Sequence, residues 1–148
     1  MNTKCLFIPF VLLISLLVSG CAASTPANPA DRFAGTWSGT MSFTDVTSRN
    51  EDIIMTIPTG CTVGSVCGDS YNVTINCTWE ITLEAINGDV FEYKFSKTLG
   101  GECPALTSGI LTLQPDGTIW REHKTPSFTA RGVLMWKEKH EPTTRYSH

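Results

Sequence analysis

The segment that decides the fold is Cys77–Phe95, which reads CTWEITLEAINGDVFEYKF. Before the Asn-Gly pair, apolar side chains alternate with Thr and Glu, and after it they alternate with Glu and Lys. A period of two sends successive side chains to opposite faces of a strand, whereas a helix has a period of 3.6. The segment therefore predicts a β-hairpin with one apolar face, formed by Cys77, Trp79, Ile81, Leu83, Phe91, Tyr93 and Phe95.

The pairing register predicts the turn of this hairpin. A two-residue turn at Asn87-Gly88 would set Leu83 opposite Glu92, and opposed residues share a face, so a carboxylate would lie beside a leucine. A three-residue loop that ends at Gly88 instead pairs Leu83 with Phe91. The same register joins apolar residues throughout, with Trp79 opposite Phe95 and Ile81 opposite Tyr93. We therefore predict the three-residue loop, with Gly88 in the left-handed conformation.

The alternation continues on both sides of the hairpin. Strands are predicted around Trp37–Phe43, Ile53–Ile57, Ser70–Ile75 and Arg131–Trp136. A turn at Pro115-Asp116-Gly117 predicts a further hairpin that pairs Leu113 with Ile119 and Thr112 with Trp120. About eight short antiparallel strands and no convincing helix indicate an all-β up-and-down barrel, because closure removes exposed strand edges. Large inward side chains predict a mostly filled interior: Trp37, Met41, Phe43, Trp79, Leu83, Phe91, Tyr93 and Phe95.

The first residues of the chain have the pattern of an export signal. Lys4 precedes an apolar run, Cys5–Val18, that is shorter than the roughly 20 residues needed to span a bilayer. Val18-Ser19-Gly20-Cys21 resembles the lipobox of bacterial lipoproteins. The resemblance implies cleavage before Cys21, a diacylglycerol on its sulfur and an acyl chain such as palmitate on its amine. Two or three acyl chains make a durable membrane anchor. The alternative is ordinary cleavage near Ala22–Ser24, which leaves a soluble secreted protein.

Composition divides the chain into four parts. Residues 1–20 form the signal peptide, residues 21–31 the lipidated cysteine and a Pro/Ala-rich tether, residues 32–139 the barrel, and residues 140–148 a polar tail. Lys4 is the only charged residue of the signal, so the mature chain keeps ten basic and fourteen acidic residues, a net charge of −4. Such a domain gains no electrostatic attraction to nucleic acid. The expected location of the protein is the bacterial cell membrane or outer membrane.

Four cysteines remain in the mature domain: Cys61, Cys67, Cys77 and Cys103. An even number in an exported domain indicates disulfides, for which three pairings are possible. We favour Cys61–Cys67, which closes a tight loop, and Cys77–Cys103, which joins distant segments and would contribute roughly 3–4 kcal/mol. A four-thiolate zinc site is disfavoured because no C-x2-C pair is present and an oxidising compartment leaves few free thiolates.

The sequence around the first predicted strand, RFAGTWSG, resembles the Gly-x-Trp start of calycin-type barrels, the lipocalin and avidin group. The resemblance rests on Gly35 and Trp37, and it implies that an arginine of the last strand packs over the tryptophan, for which Arg131 is the candidate. Further elements of the sequence are similar to those of small uncharacterised β-barrel modules of bacterial surface proteins. These are Trp-Ser-Gly, Cys-Gly, Cys77, Gly-Glu-Cys103 and a Leu-x-Leu-x-x-Asp-Gly ending.

No motif for catalysis, nucleotide binding or metal binding is present. The three histidines, His123, His140 and His148, lack metal-ligand spacing. The carboxylates Asp45, Glu51 and Asp52 are interpreted as a solvated turn rather than as a catalytic pair, and Ser38 as an outward strand hydroxyl. The sequons Asn72-Val73-Thr74 and Asn76-Cys77-Thr78 would matter only in a eukaryotic source. We therefore expect neither a cofactor nor a metal.

The hypothesis from sequence is a non-enzymatic, membrane-anchored binding module for a small apolar ligand or an envelope partner. The candidate contacts are Trp37, Trp79, Trp120 and Arg131. Trp120 is expected to face outward beside Thr112 and Glu122, as in a sugar or protein contact. The tail or the Lys124–Phe128 loop could instead cover it. The alternative function is a protein inhibitor or structural envelope protein that acts through its outer surface, and a hydrolase ranks third.

The predicted lipid anchor can be tested by removing the sulfur atom of Cys21. We expect Cys21→Ser to abolish metabolic labelling by a fatty-acid analogue, because the thioether needs the sulfur. Cys5→Ser should leave labelling unchanged, since Cys5 is lost with the signal peptide. Gel fluorescence after coupling a dye to the analogue measures both variants, and continued labelling of Cys21→Ser would contradict lipidation.

Overall fold

The structure is a computed structural model that describes residues 27–44, 49–99, 103–125 and 127–138. Within these residues, eight antiparallel strands close into an up-and-down barrel in chain order, which confirms the predicted fold class. The strands are β1 (Gly35–Phe43), β2 (Asn50–Ile57), β3 (Val66–Asn72), β4 (Cys77–Asn87), β5 (Val90–Leu99), β6 (Ser108–Leu113), β7 (Ile119–Lys124) and β8 (Thr129–Glu138). No helix among them has the length and apolarity that crossing a bilayer requires.

The folded domain begins earlier than the predicted boundary at residue 32. A short 3-10 helix, Pro29–Phe33, precedes β1, and Asn28 caps it by accepting a hydrogen bond from the Ala30 amide. Ala30 and Phe33 are fully buried, so the end of the predicted tether belongs to the core. The predicted signal peptide, Cys21 and the tail at 140–148 lie outside the described residues.

The two predicted hairpins have different outcomes. Between β6 and β7, Leu113 pairs with Ile119 and Thr112 with Trp120, as predicted. Between β4 and β5 the predicted three-residue loop is wrong, because Asn87 pairs with Val90 and the turn holds only Gly88 and Asp89.

A bulge explains why the apolar faces of β4 and β5 nevertheless coincide. The register shifts between Leu83 and Ala85, so Leu83 opposes Tyr93 and Ile81 opposes Phe95. An extra residue in one strand changes the pairing by one and thereby keeps the inward set facing inward. Gly88 has a φ of 60°, in the left-handed region as predicted.

Apolar side chains fill the end of the barrel at which β1 begins. Phe33 of the 3-10 helix lies over this end, with its ring centroid 5.3 Å from that of Phe91. Trp37 donates its indole N–H to the Phe33 carbonyl at 2.8 Å and stacks on Trp136 with ring centroids 5.1 Å apart. We call this the closed end. Its packed core contains Ala30, Phe33, Trp37, Met55, Ile57, Cys61, Cys67, Ile81, Leu83, Phe91, Tyr93, Leu111, Ile119 and Leu134.

The four cysteines form one disulfide. Cys77 is bonded to Cys103, 26 residues away, as predicted. The predicted Cys61–Cys67 bond is absent, because both residues are free thiols buried in the core. Burial raises the pKa of the Cys61 thiol, and its hydrogen bond with Cys67 adds to the shift. A thiol that stays protonated is a poor nucleophile for disulfide exchange, which agrees with the reduced pair.

The barrel closes where β1 meets β8, and glycines permit the approach. A Cβ atom on Gly39 would lie 2.1 Å from the carbonyl oxygen of Val133. A Cβ atom on Gly132 would lie 2.4 Å from the carbonyl oxygen of Thr40. Both obstacles are backbone atoms of the partner strand, so they cannot move aside without separating the two strands.

We therefore expect Gly39→Ala to lower the free energy of unfolding by roughly 1–3 kcal/mol, the usual cost of overpacking. Val133→Ala, on the exposed face of the same seam, should change it by about 0.5 kcal/mol or less. Urea denaturation followed by circular dichroism measures both. If Gly39→Ala were as stable as the wild type, the seam would not need the glycine.

Candidate functional site

The opposite end of the barrel, which we call the open end, contains a small cavity. The connections β1–β2, β3–β4, β5–β6 and β7–β8 meet there, since the strands run up and down. The cavity volume is about 20 Å³, and one water-sized group needs about 10–15 Å³ by this measure. Its lining comes from all four connections and from the strands beneath them: Phe43, Arg49, Glu51, Ile53, Ser70, Asn72, Ile75, Trp79, Pro104, Leu106, Arg121, His123 and Phe128.

Arg121 supplies a positive charge to the interior. Strand β7 alternates, so Ile119, Arg121 and His123 point inward, and Arg121 is only 1% exposed. Its Nε donates a hydrogen bond to the hydroxyl oxygen of Tyr93 at 3.0 Å. Its Nη1 has no hydrogen-bond partner in the described protein. No carboxylate oxygen of the described residues lies within 4.0 Å of its guanidinium, so Arg121 has no ion-pair partner among them.

Gly109 makes the contact between Arg121 and Tyr93 possible. Gly109 of β6 pairs with Tyr93 of β5, and a Cβ atom on it would lie 2.4 Å from the Tyr93 hydroxyl oxygen. The glycine thus leaves room for the phenol to lie against β6 and reach the guanidinium. Burial raises the pKa of Tyr93, and the Arg121 charge only partly opposes this shift. The phenol therefore stays neutral and does not compensate the Arg121 charge.

His123 lies above Arg121 among aromatic rings. Its ring centroid is 5.8 Å from those of Phe43 and Phe95 and 6.0 Å from that of Phe128. The imidazole is 3% exposed, and neither ring nitrogen has a hydrogen-bond partner in the described protein. Burial, followed by the Arg121 charge, lowers the pKa of His123 to about 3. At neutral pH the ring is uncharged and offers one donor and one acceptor.

Ser70 completes a set of buried polar groups without protein partners. It lies on β3 between Met55 and Trp79 of the adjacent strands and is 1% exposed. Its hydroxyl makes no hydrogen bond within the described protein. Ser70, Arg121 and His123 together line the cavity, and we call them the polar cluster.

Glu51 carries the negative charge of the cavity. Its interpretation as part of a solvated turn is wrong, because β2 begins at Asn50 and the Glu51 side chain is 2% exposed. The carboxylate forms an ion pair with Arg49 and accepts a hydrogen bond from the Asn72 amide. The Arg49 guanidinium also lies 4.9 Å from the centroid of the Phe43 ring. The described lining therefore contains one carboxylate, Glu51, which pairs with Arg49, and a second guanidinium, that of Arg121.

The rim of the cavity is apolar, and the disulfide holds part of it. Cys77–Cys103 joins the start of β4 to the β5–β6 connection. The indole N–H of Trp79 donates to the Pro104 carbonyl at 3.1 Å in the same connection. On the other side, Phe128 packs against Phe43 with ring centroids 5.5 Å apart. Leu106 and Ile75 contribute the remaining apolar rim.

The residues predicted as contacts do not meet at one site. Trp79 lines the open-end cavity, whereas Trp37 is buried at the closed end. Trp120 lies on the outer face, half-buried, and pairs with Thr112 and Val133. The predicted cover of Trp120 by the Lys124–Phe128 loop does not include Phe128, which packs inside the rim instead.

The resemblance-based role of Arg131 is wrong. On β8 the inward residues are Ala130, Gly132 and Leu134, so Arg131 points outward. Its Nε pairs with Glu122 at 3.0 Å, and Trp37 stacks on Trp136 instead. Sequence reasoning also missed Arg121 and Ser70 and dismissed His123 and Glu51. The signal was present, because the register that places Trp120 outside places its neighbours Arg121 and His123 inside.

The cavity is better suited to binding than to proton transfer. Ser70 and His123 make no hydrogen bond to each other, and a histidine with a pKa of about 3 is a weak base. Among the described residues, no group of three or more His, Cys, Asp or Glu side chains is arranged to hold a metal ion. What the cavity offers is a cation, hydrogen-bonding groups and an apolar rim.

The lowered pKa of His123 predicts acid sensitivity. The unfolded chain binds a proton near pH 6.5 and the folded chain only near pH 3, so stability is lost as the pH falls through that window. We expect a fall in unfolding free energy of up to about 1.4 kcal/mol per pH unit from this group. Urea denaturation between pH 7 and pH 4 measures it. His123→Phe, which keeps the aromatic packing, should flatten the slope, and equal slopes would contradict the assignment.

Comparisons with known proteins leave the function to be argued from this geometry. No protein-family model matches the chain, and searches of curated proteins and of solved structures found no match. The resemblances to bacterial lipoproteins and to calycin-type barrels therefore stay predictions.

Proposed function

We propose that the protein is a lipid-anchored binding protein of the bacterial envelope, and that its barrel takes a small ligand at the open end. One observation carries the proposal. The three residues of the polar cluster line the cavity, and four of their buried side-chain atoms have no hydrogen-bond partner in the described protein: Ser70 Oγ, Arg121 Nη1, His123 Nδ1 and His123 Nε2. Buried polar groups are almost always paired, so a cluster of exceptions in one cavity favours a ligand that supplies the partners.

The shape of the open end supports a ligand with two parts. The cavity of about 20 Å³ has room for about one water-sized group, so it can admit an oxygen of a small polar head. The apolar rim, with Phe43, Trp79 and Phe128, is suited to contact a larger apolar body outside it. A fully apolar ligand would leave the polar cluster unpaired, and each unpaired buried group costs about 1–3 kcal/mol.

The predicted anchor is consistent with this role. Acyl chains on Cys21 would keep the barrel at a membrane surface, and the short segment between Cys21 and the 3-10 helix would keep it close. A binding protein held in this way meets ligands in the envelope rather than in the surrounding medium. The anchor and the binding role are separate claims, so each has its own experiment.

Ligand binding is testable with matched serine variants. We expect a small-molecule extract of the source envelope to raise the Tm of the full chain, because a ligand at 100 times its Kd adds about 2.7 kcal/mol of stability. Ser70→Leu fills the cavity and should remove the shift. Ser38→Leu, the same change on the half-buried outer side of β1, should keep it.

Scanning calorimetry measures the shift, and native mass spectrometry identifies the bound mass. Extract that leaves the wild-type Tm unchanged, or that stabilises Ser70→Leu equally, would contradict binding at the open end.

A protein-contact role on the outer face is the second candidate. Val133 and Met135 of β8 are 45% and 62% exposed, and Trp120 lies beside Val133 in register. Exposed apolar side chains grouped on one face are typical of interaction surfaces. This role would be insensitive to Ser70→Leu, which separates it from the first.

A further inference from the structure

We propose that the ligand head is a carboxylate that pairs with Arg121, so the protein selects organic carboxylates with a compact apolar body. The inference rests on the proposed function and names its ligand class. The polar atoms without partners do not by themselves specify whether the ligand head is charged. The inference is therefore based on the charged side chains of the cavity.

The first step is the charge count. The charged side chains that line the described cavity are Arg49, Glu51 and Arg121. Glu51 pairs with Arg49 and accepts from the Asn72 amide, and its carboxylate oxygens lie more than 4.0 Å from the Arg121 guanidinium nitrogens. His123 is neutral at physiological pH, and Tyr93 keeps its proton. One buried guanidinium therefore remains without a counter-charge among the described residues.

The second step is the position of the free donors. Arg121 Nε donates to the Tyr93 hydroxyl oxygen, while Nη1 of this cavity-lining residue is buried and has no hydrogen-bond partner in the described protein. The hydroxyl of Ser70 and one nitrogen of the neutral His123 ring can donate to the same acceptor group. A carboxylate has two oxygens with about four lone-pair sites, enough to accept from all three.

The third step excludes other head groups. An ammonium head would add a second positive charge beside Arg121, which like-charge repulsion disfavours. A neutral amide head would satisfy donors but leave the guanidinium charge unbalanced. The cavity volume of about 20 Å³ leaves no room for a head group larger than a carboxylate. The apolar rim around Phe43 and Phe128 then places an aryl or alkyl body at the mouth.

The experiment uses three probes with the same aromatic body and different head groups: 1-naphthoate, 1-naphthamide and 1-naphthylmethylammonium. The full chain is held in phosphatidylcholine nanodiscs at pH 7, and calorimetric titration gives each Kd after subtraction of empty nanodiscs. We expect the wild type to bind naphthoate roughly 10- to 100-fold more tightly than naphthamide, the range of a charge-assisted hydrogen bond. The ammonium probe should be the weakest.

Arg121→Met should bring the naphthoate-to-naphthamide ratio close to one, because it removes the charge and keeps the apolar stem. Arg131→Met is the matched control, since Arg131 lies outside the barrel on Glu122, and it should keep the wild-type ratio. Arg121→Lys retains the positive charge but not the planar guanidinium group, so its naphthoate-to-naphthamide ratio should be intermediate. If Arg121→Met fails to fold, the selectivity of Arg121→Lys tests the inference instead.

The outcomes separate the two claims. Equal binding of naphthoate and naphthamide by the wild type would overturn the carboxylate inference and leave the proposed function standing. A ratio unchanged in Arg121→Met would overturn it as well, because the selectivity would then come from another group. Absence of binding by every probe, together with an envelope extract that leaves the Tm unchanged, would overturn both.

Discussion

Closure of the barrel between β1 and β8 is the constraint on which the rest depends. At Gly39 and Gly132 the backbones come too close for any side chain larger than hydrogen. The closed cylinder of eight strands has an interior just wide enough for one set of side chains. Every inward residue therefore meets residues from several other strands. A polar residue on one strand must find its partner inside or keep an unpaired group.

The two ends of the interior solve this problem differently. Near the closed end, Trp37 and Phe33 fill the space, and the indole N–H has a carbonyl partner. Near the open end, the inward positions of β7 hold Arg121 and His123, where apolar residues would pack without cost. Buried ionic groups replaced by hydrophobic residues of similar volume often leave a protein equally or more stable. The polar cluster is thus poorly explained by stability, which favours the proposed binding role.

Sequence periodicity was enough to predict the barrel because a period of two survives local irregularity. The bulge near Ala85 changed the pairing partners of Leu83 without changing its face. The turn was mispredicted for the same reason, since a bulge is not visible in an alternating pattern. Cys61 and Cys67 were expected to be bonded from their count and spacing, but whether two nearby thiols are joined depends on local geometry that spacing does not specify.

The candidate site was harder to predict because hydrophobicity hides it. Strand β7 reads IWREHK, in which the apolar residues are Ile119 and Trp120, so hydrophobicity indicates no inward face beyond Ile119. Register does give one, since the pairing of Thr112 with Trp120 fixes Arg121 and His123 on the Leu111 side. What register cannot supply is the meeting of Arg121 with Tyr93, which requires the missing side chain at Gly109. An inward arginine near a buried tyrosine that pairs with a glycine on the neighbouring strand is therefore a useful pattern for finding polar cavities in filled barrels.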